Sequence, residues 1–339
     1  MLNYFSLDAY ASVKSAISQR NFSPIYFLMG DEPFFIDDIS RLLIDTVLPE
    51  EQRDFNQTIL YGKDTSVDEI VSVCKRFPMM ADYQLVVVRE AHDLSRSIEQ
   101  LTAYAAQPQL TTILVICFKN KKLDKRKKLS KAIQKNGIIV ETKKLYDNKL
   151  PSWIEQRVRA MKRNIDYKAA AVLAESVGAD LGALSNQLEK LCLIVSEGDT
   201  ISTDHIEQHV GISKEYNNFE LRKALGSGNV AQAFKIAHYF GRHPKQHPLL
   251  GTINSLYKFF MQLLTYHGLP SKNPDAAAKA LGVHPFFIKE IEQAARRYPL
   301  KSIVPILRTI KTSDLAAKGV DAVPISEGEA LRQLIAKLT

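Results

Sequence analysis

The strongest constraint on this chain comes from where its continuous apolar runs fall and where they stop. Residues 24–29, 85–88, 113–118 and 138–140 are each almost wholly apolar. That is the pattern of short strands buried on both faces, because a parallel sheet covered by helices leaves no face for polar residues. Helical spacing fills the intervals. A short amphipathic helix is expected over 9–18, and Pro33 opens another that carries Phe35, Ile39, Leu42, Leu43 and Val47 on its inner side. Strands alternating with helices to about residue 143 predict a parallel α/β domain. From Asn148 onward only helical periodicity is read.

Two places in the α/β region resemble nucleotide-binding chemistry and lack its reactive groups. Strand, Gly30 and helix is the setting of a phosphate loop, which needs several glycines and a Lys-Ser/Thr pair. This loop has one glycine, no lysine and no hydroxyl, and it puts Asp31 and Glu32 where phosphates would lie. The run Leu85-Val86-Val87-Val88 then closes on Arg89-Glu90. ATPases of this type put an aspartate at the Arg89 position to help hold magnesium, and arginine cannot coordinate a cation.

The stretch leading into that strand is distinctive. Ser66-Val67-Asp68-Glu69 reads as a capping box, with the Glu69 carboxylate reaching back to the cap. Val67, Ile70, Val71, Cys74 and Phe77 trace one buried helical face, which Pro78 ends because the residue before a proline avoids helical angles. Met79 and Met80 follow at the turn. From the residues alone, they are either core beneath the next strand or exposed side chains available to a partner.

Net charge is +8, which suits a polyanionic partner. The most charged segment holds Lys119, Lys121, Lys122, Lys125, Arg126, Lys127, Lys128 and Lys131, relieved by Asp124. It reads as a solvated face or as a set of phosphate contacts; without interleaved aromatics, base stacking is not indicated. Cys74, Cys117 and Cys192 lie far apart in apolar contexts and read as buried, reduced thiols of a cytoplasmic protein. Residues 1–8 lack the basic start and apolar core of a leader, and no run reaches membrane-spanning length. His205 with His209, and His243 with His247, have no third ligand near in sequence, so no metal is expected. Gly226-Ser227-Gly228-Asn229-Val230-Ala231 spells a dinucleotide fingerprint but follows a helix, so it reads as a helix-to-helix turn.

In the helical half, one helix starts at Leu150 and runs through Arg157, Arg159, Lys162 and Arg163. Helices over 167–177, ending at Gly178, and 181–195 complete a small bundle, and Ser202 caps another through Val210. After a polar stretch over 211–218, helices are expected over 219–225, 230–240, 249–266, 274–281, 285–297, 300–317 and 327–338.

An ordered set of segments then resembles the delta subunit family of the bacterial DNA polymerase III clamp loader. The set is Tyr26-Phe27-Leu28-Met29-Gly30-Asp31-Glu32-Pro33, Pro78-Met79-Met80-Ala81 before Leu85-Val86-Val87-Val88-Arg89-Glu90-Ala91, and Lys122-Leu123-Asp124-Lys125-Arg126-Lys127. Ala179-Asp180-Leu181 with Glu189-Lys190-Leu191, and Leu281-Gly282-Val283-His284-Pro285-Phe286, continue it over nearly the full length. The resemblance implies an AAA+-like α/β domain without ATPase motifs (1–145), a three-helix lid (146–212) and an all-helical collar for assembly (213–339). Active relatives carry an arginine after Asp-Leu in the lid, where this chain has Gly182. The resemblance also implies a non-catalytic, cofactor-free subunit at bacterial replication forks. Its partners would be the sliding clamp (beta), the loader ATPase subunits and delta-prime through the C-terminal domain, and primed DNA in the assembled complex. Pro78, Met79 and Met80 align with the clamp-binding segment, and Lys122, Lys125, Arg126, Lys127 and Lys128 would contact DNA phosphate. Two other readings stay open: an ATP-dependent helicase-loader relative, and a stand-alone basic DNA-binding protein.

Overall fold

The computed structural model describes residues 7–320 and 325–339. Most of the stretch read for a leader, residues 1–6, lies outside the described residues. The chain divides into two compact units, Met1–Leu145 and Tyr146–Thr339.

The first unit runs α1 (Leu7–Ser18), β1 (Ile25–Gly30), α2 (Pro33–Val47), α3 (Glu50–Asn56), β2 (Gln57–Tyr61), α4 (Val67–Cys74), β3 (Gln84–Arg89), α5 (Thr102–Ala106), β4 (Thr112–Lys119), α6 (Lys128–Asn136) and β5 (Ile138–Thr142). The strands form one parallel sheet in the order β2-β3-β4-β1-β5. Alternate side chains enter opposite cores, because successive residues of a strand point to opposite faces. Phe27, Met29, Val86, Val88, Leu114 and Ile116 pack with residues of α4, α5 and α6. Tyr26, Leu28, Leu85, Val87, Ile113 and Val115 pack with residues of α1 and α2. The four apolar runs thus become β1, β3, β4 and β5; β5 is the other edge strand, so Ile138 and Ile139 are only partly buried rather than covered on both faces.

Several expectations need correction. The strand β2 and the helix before it, α3, are not legible as apolar patterns. As an edge strand β2 leaves Ile59 and Tyr61 partly exposed, so its sequence needs no continuous apolar run. The α4 helix ends at Cys74, and Phe77 is exposed rather than part of its buried face. The buried Gln84 amide sets that end: its Nε2 lies 3.2 Å from the carbonyls of Val73 and Cys74 and 2.6 Å from that of Arg76. The Thr112 hydroxyl adds a 2.8 Å bond to Cys74 C=O, so terminal carbonyls left over by the helix are taken up. The capping box is half formed. Ser66 Oγ accepts from Glu69 N–H at 3.2 Å, while the Glu69 carboxylate accepts instead from the Thr65 hydroxyl at 2.7 Å.

The second unit begins with α7 (Leu150–Ala160), β6 (Asn164–Ile165), α8 (Tyr167–Val177), α9 (Leu181–Ile194), β7 (Thr200–Ile201) and α10 (Thr203–Val210). It continues with α11 (Asn218–Ser227), α12 (Val230–Arg242), α13 (Leu249–His267), α14 (Pro274–Leu281), α15 (Ile288–Arg297), α16 (Leu300–Ala317) and α17 (Glu327–Leu338). The expectation of helix alone is corrected by the short parallel pair β6 and β7. Lys162 and Arg163 fall outside α7, since Lys162 adopts the left-handed region at φ 59° and breaks the helix. The Gly226 to Ala231 segment is the turn expected of it. Gly228 ends α11 in the left-handed region and Asn229 caps α12 by accepting from Gln232 N–H. A contiguous core from Leu221 to Leu338 joins α11, α12, α13, α15, α16 and α17. Among the described residues no helix is long and apolar enough to cross a membrane.

The backbone at Gly30 has φ +127°, and a Cβ there would lie 2.1 Å from Thr142 O on the neighbouring strand. Gly30→Ala should therefore cost at least about 2 kcal/mol of stability, by clash and by strain together. Chemical denaturation of the variant measures this; a loss below about 0.5 kcal/mol would contradict the packing described.

Candidate functional site

The loop after α4 presents apolar side chains to solvent. Met79 is 62% exposed, Met80 98% and Phe77 76%. Of the two readings open from sequence, core or exposed, the structure shows exposure. Pro78 is half-buried and begins the turn. Met80 stands at φ 52°, in a region that non-glycine residues seldom occupy. Phe55, 72% exposed, lies at the end of α3, whose next residue, Asn56, is hydrogen-bonded to Met79. Single exposed apolar residues are ordinary, but a Phe and two Met within four positions of one loop form a surface suited to an apolar pocket. Sequence reasoning missed Phe77 here because its spacing from Cys74 matched the helical period.

At the position of a phosphate loop, the backbone donors are already committed. Asp31 N–H donates to Thr142 O at 3.0 Å and Glu32 N–H to Thr142 Oγ1 at 3.3 Å. Pro33 has no N–H, and Phe34 N–H donates to Glu32 Oε1 at 3.2 Å. A helix N-terminus attracts phosphate through free amides and its positive dipole end. Here the buried Glu32 carboxylate occupies that end of α2. At the tips of β3 and β4, Lys119 Nζ bridges Asp37 at 2.9 Å and Glu90 at 3.2 Å. Burial pulls the Lys119 pKa down, but the two carboxylates outweigh it and hold it above its ordinary value. An ammonium of the chain itself thus lies between the carboxylates near Arg89.

The basic segment is largely paired within its own unit. Lys122 Nζ meets Asp31 at 2.7 Å and Glu141 at 3.4 Å, and Lys125 meets Glu141 at 3.0 Å. Arg126 bonds Asp124, and Lys127 lies 3.6 Å from Glu99. Lys128 is exposed at the first turn of α6. The hydrogen bonds from Arg126 hold Asp124 down at about 2. For Glu141 burial acts upward, but hydrogen bonds and charge from Lys125 and Lys122 leave its pKa below 4.5.

The remaining candidates have structural roles. His205 Nδ1 accepts from Ser202 N–H at 3.1 Å and completes the cap of α10. His247 stacks on Phe240 with centroids 4.2 Å apart, and burial, helped by the charge of His243, pulls it down to about 4. Among the described residues no group of three or more His, Cys, Asp and Glu side chains is placed to hold a metal ion. All three cysteines are free and buried, and burial pushes the Cys74 thiol up to about 12.

This chain is similar to several known proteins. Residues 26–143 match the family model of the DNA polymerase III delta subunit. The chain is 23% identical over 316 residues to DNA polymerase III subunit delta of Bacillus subtilis (strain 168), covering 90% of this chain and 91% of that protein. It is 23% identical over 216 residues to DNA polymerase III subunit delta of Escherichia coli (strain K12), covering 62% of each. Among solved structures, the Bacillus subtilis DNA clamp loader delta protein (YqeN) is similar in fold, with a TM-score of 0.55 at 21% identity over 97% of this chain and 99% of that one. The resemblance to the delta family read from the ordered segments therefore holds.

The lowered pKa of Glu141 has a consequence for stability. A carboxylate depressed in the folded state stabilises it fully above its unfolded value, near 4.5, and loses that contribution as pH falls through the lower folded value. Wild type should melt above Glu141→Gln at neutral pH, and the gap should close on acidification below about 4.5. A gap that stays constant with pH would mean that Glu141 acts by packing alone.

Proposed function

We propose that this chain, which belongs with the DNA polymerase III delta subunits by its match over residues 26–143, is the subunit that binds and opens the sliding clamp. It would do so as a part of the clamp loader that does not itself turn over ATP. The observation that carries this reading is the exposure of Met79 and Met80 on a loop held by a rigid scaffold. Two flexible, polarisable side chains that project from a fixed backbone can fill an apolar pocket on a partner. Residues 146–212 would serve as the lid and 213–339 as the collar that joins the ATPase subunits and delta-prime.

The committed amides at 31, 32 and 34, the capping carboxylate of Glu32 and the arginine at position 89 support a subunit without nucleotide chemistry. Calorimetry on the isolated chain should therefore register no ATP binding at micromolar concentration. Binding that is abolished by changes at Gly30 would favour the helicase-loader reading instead.

Contact with DNA phosphate is assigned to Lys122, Lys125, Arg126, Lys127 and Lys128 within the assembled loader. Four of these are paired with carboxylates, so each releases fewer counterions than a free cation would. Charge reversal at Lys125, Arg126, Lys127 and Lys128 should weaken DNA binding for all sequences alike and make its salt dependence shallower. An unchanged salt slope would return the segment to a solvated face.

The clamp contact is tested by Met79→Ala with Met80→Ala. Burial of each methionine contributes about 1.5–3 kcal/mol, so the double variant should bind the clamp roughly a hundredfold more weakly. Its melting temperature and its assembly with loader partners should be nearly unchanged, because both side chains are exposed in the free chain. Loss of thermal stability with unchanged clamp affinity per folded molecule would overturn the assignment.

A further inference from the structure

The backbone of Met79 is gripped at both of its polar groups by a single side chain. Asn56, buried to 4% exposure at the end of α3, accepts from Met79 N–H through Oδ1 at 2.6 Å. Its Nδ2 donates to Met79 C=O at 2.9 Å and to Gln52 C=O at 3.1 Å. Gln52 Nε2 in turn donates to Met80 C=O at 3.3 Å. One primary amide thus supplies what a neighbouring strand would supply to a sheet residue, a donor and an acceptor on adjacent positions. The opposite amide orientation would set donor against donor and acceptor against acceptor, so the network fixes which way Asn56 points.

This grip lies far from Met79 in sequence and is absent from any local motif, since the two residues are 23 positions apart. Its effect is local. With Met79 held at N–H and C=O and Met80 at φ 52°, the loop cannot turn inward to bury the two side chains against the sheet. A loop that must keep apolar side chains in water needs such a restraint, because hydrophobic burial favours their collapse onto the nearest core.

We infer that Asn56 is the positioning residue of the clamp-binding loop, holding Met79 and Met80 in the conformation that enters the partner's pocket. The inference rests on the reading of Met79 and Met80 as the clamp anchor. It adds that affinity depends on a side chain that need not touch the clamp. When a binding-competent loop conformation becomes only fractionally populated, apparent affinity falls by that fraction.

The test uses the full chain and the sliding clamp of the same organism in a double-mutant cycle. Asn56→Ala removes both bonds to Met79 and should weaken clamp binding roughly tenfold. Asn56→Asp keeps the acceptor for Met79 N–H but turns a carboxylate oxygen toward two carbonyls, so it should weaken binding to a similar degree. In the background of Met79→Ala with Met80→Ala, Asn56→Ala should change the residual affinity by less than about twofold, because a positioning residue acts only through what it positions. Affinity is taken per folded molecule, with hydrogen exchange at the Met79 amide followed in each variant; exchange should accelerate in both Asn56 variants. An equal loss in the two backgrounds, or unchanged clamp affinity in Asn56→Ala, overturns the inference. If Met79→Ala with Met80→Ala alone leaves affinity unchanged, the anchor reading itself fails, and the positioning role falls with it.

Discussion

The buried side chain of Gln84 is the interaction on which the shape of the candidate site depends. It stands at the first position of β3, 6% exposed, and its amide meets the last carbonyls of α4 while also lying 2.7 Å from Thr112 Oγ1 on β4. A buried amide left unpaired would be costly, so the helix must end where its carbonyls can reach Gln84. That places residues 75–80 outside the core, while Ala81 and Tyr83 pack back against it. Phe77, Met79 and Met80 are exposed within it, and the strand that takes up the helix end lies between β2 and β4 in the sheet.

The Gly30 loop shows how polar groups beside a buried sheet are satisfied within the chain. The parallel sheet is held by its two apolar cores, and none of those residues needs a phosphate. Buried polar groups beside the strand ends require partners. Thr142 supplies them for the Gly30 loop, Glu32 for the first free amide of α2, and Lys119 for the carboxylates of Asp37 and Glu90. Each is a bond within the chain.

Charge follows a similar logic. The chain carries a net +8, yet the densest run of lysines is matched by Asp31, Glu99, Asp124 and Glu141 from other parts of the same unit. Glu141, with 13% of its side chain exposed, receives two lysines, which a lone buried carboxylate would need in order to stay ionised. Linear charge density therefore overstates the field this segment offers to a partner.

What could be known from the residues in order was whatever burial alone enforces. Strands β1, β3 and β4 had to be continuous apolar runs because both faces of the sheet are covered, and the helix starts at Pro33, Ser202 and Asn229 carry their own capping groups. That no lysine stands near Gly30 and that position 89 is an arginine was equally plain in the residue order. Tertiary structure decided the rest. The edge strand β2 is stabilised by pairing with β3 and not by its own pattern, so Gln57 to Tyr61 gave no signal. Phe77 continued the helical period of α4, and the Gln84 amide, ten positions after Cys74, takes up the carbonyls at which the helix ends before it. The exposure of Met79 and Met80 was undecided in sequence because an apolar side chain beside a turn fits a core or a surface equally well. Asn56, 23 positions away, takes both backbone bonds of Met79, and the side chains face water.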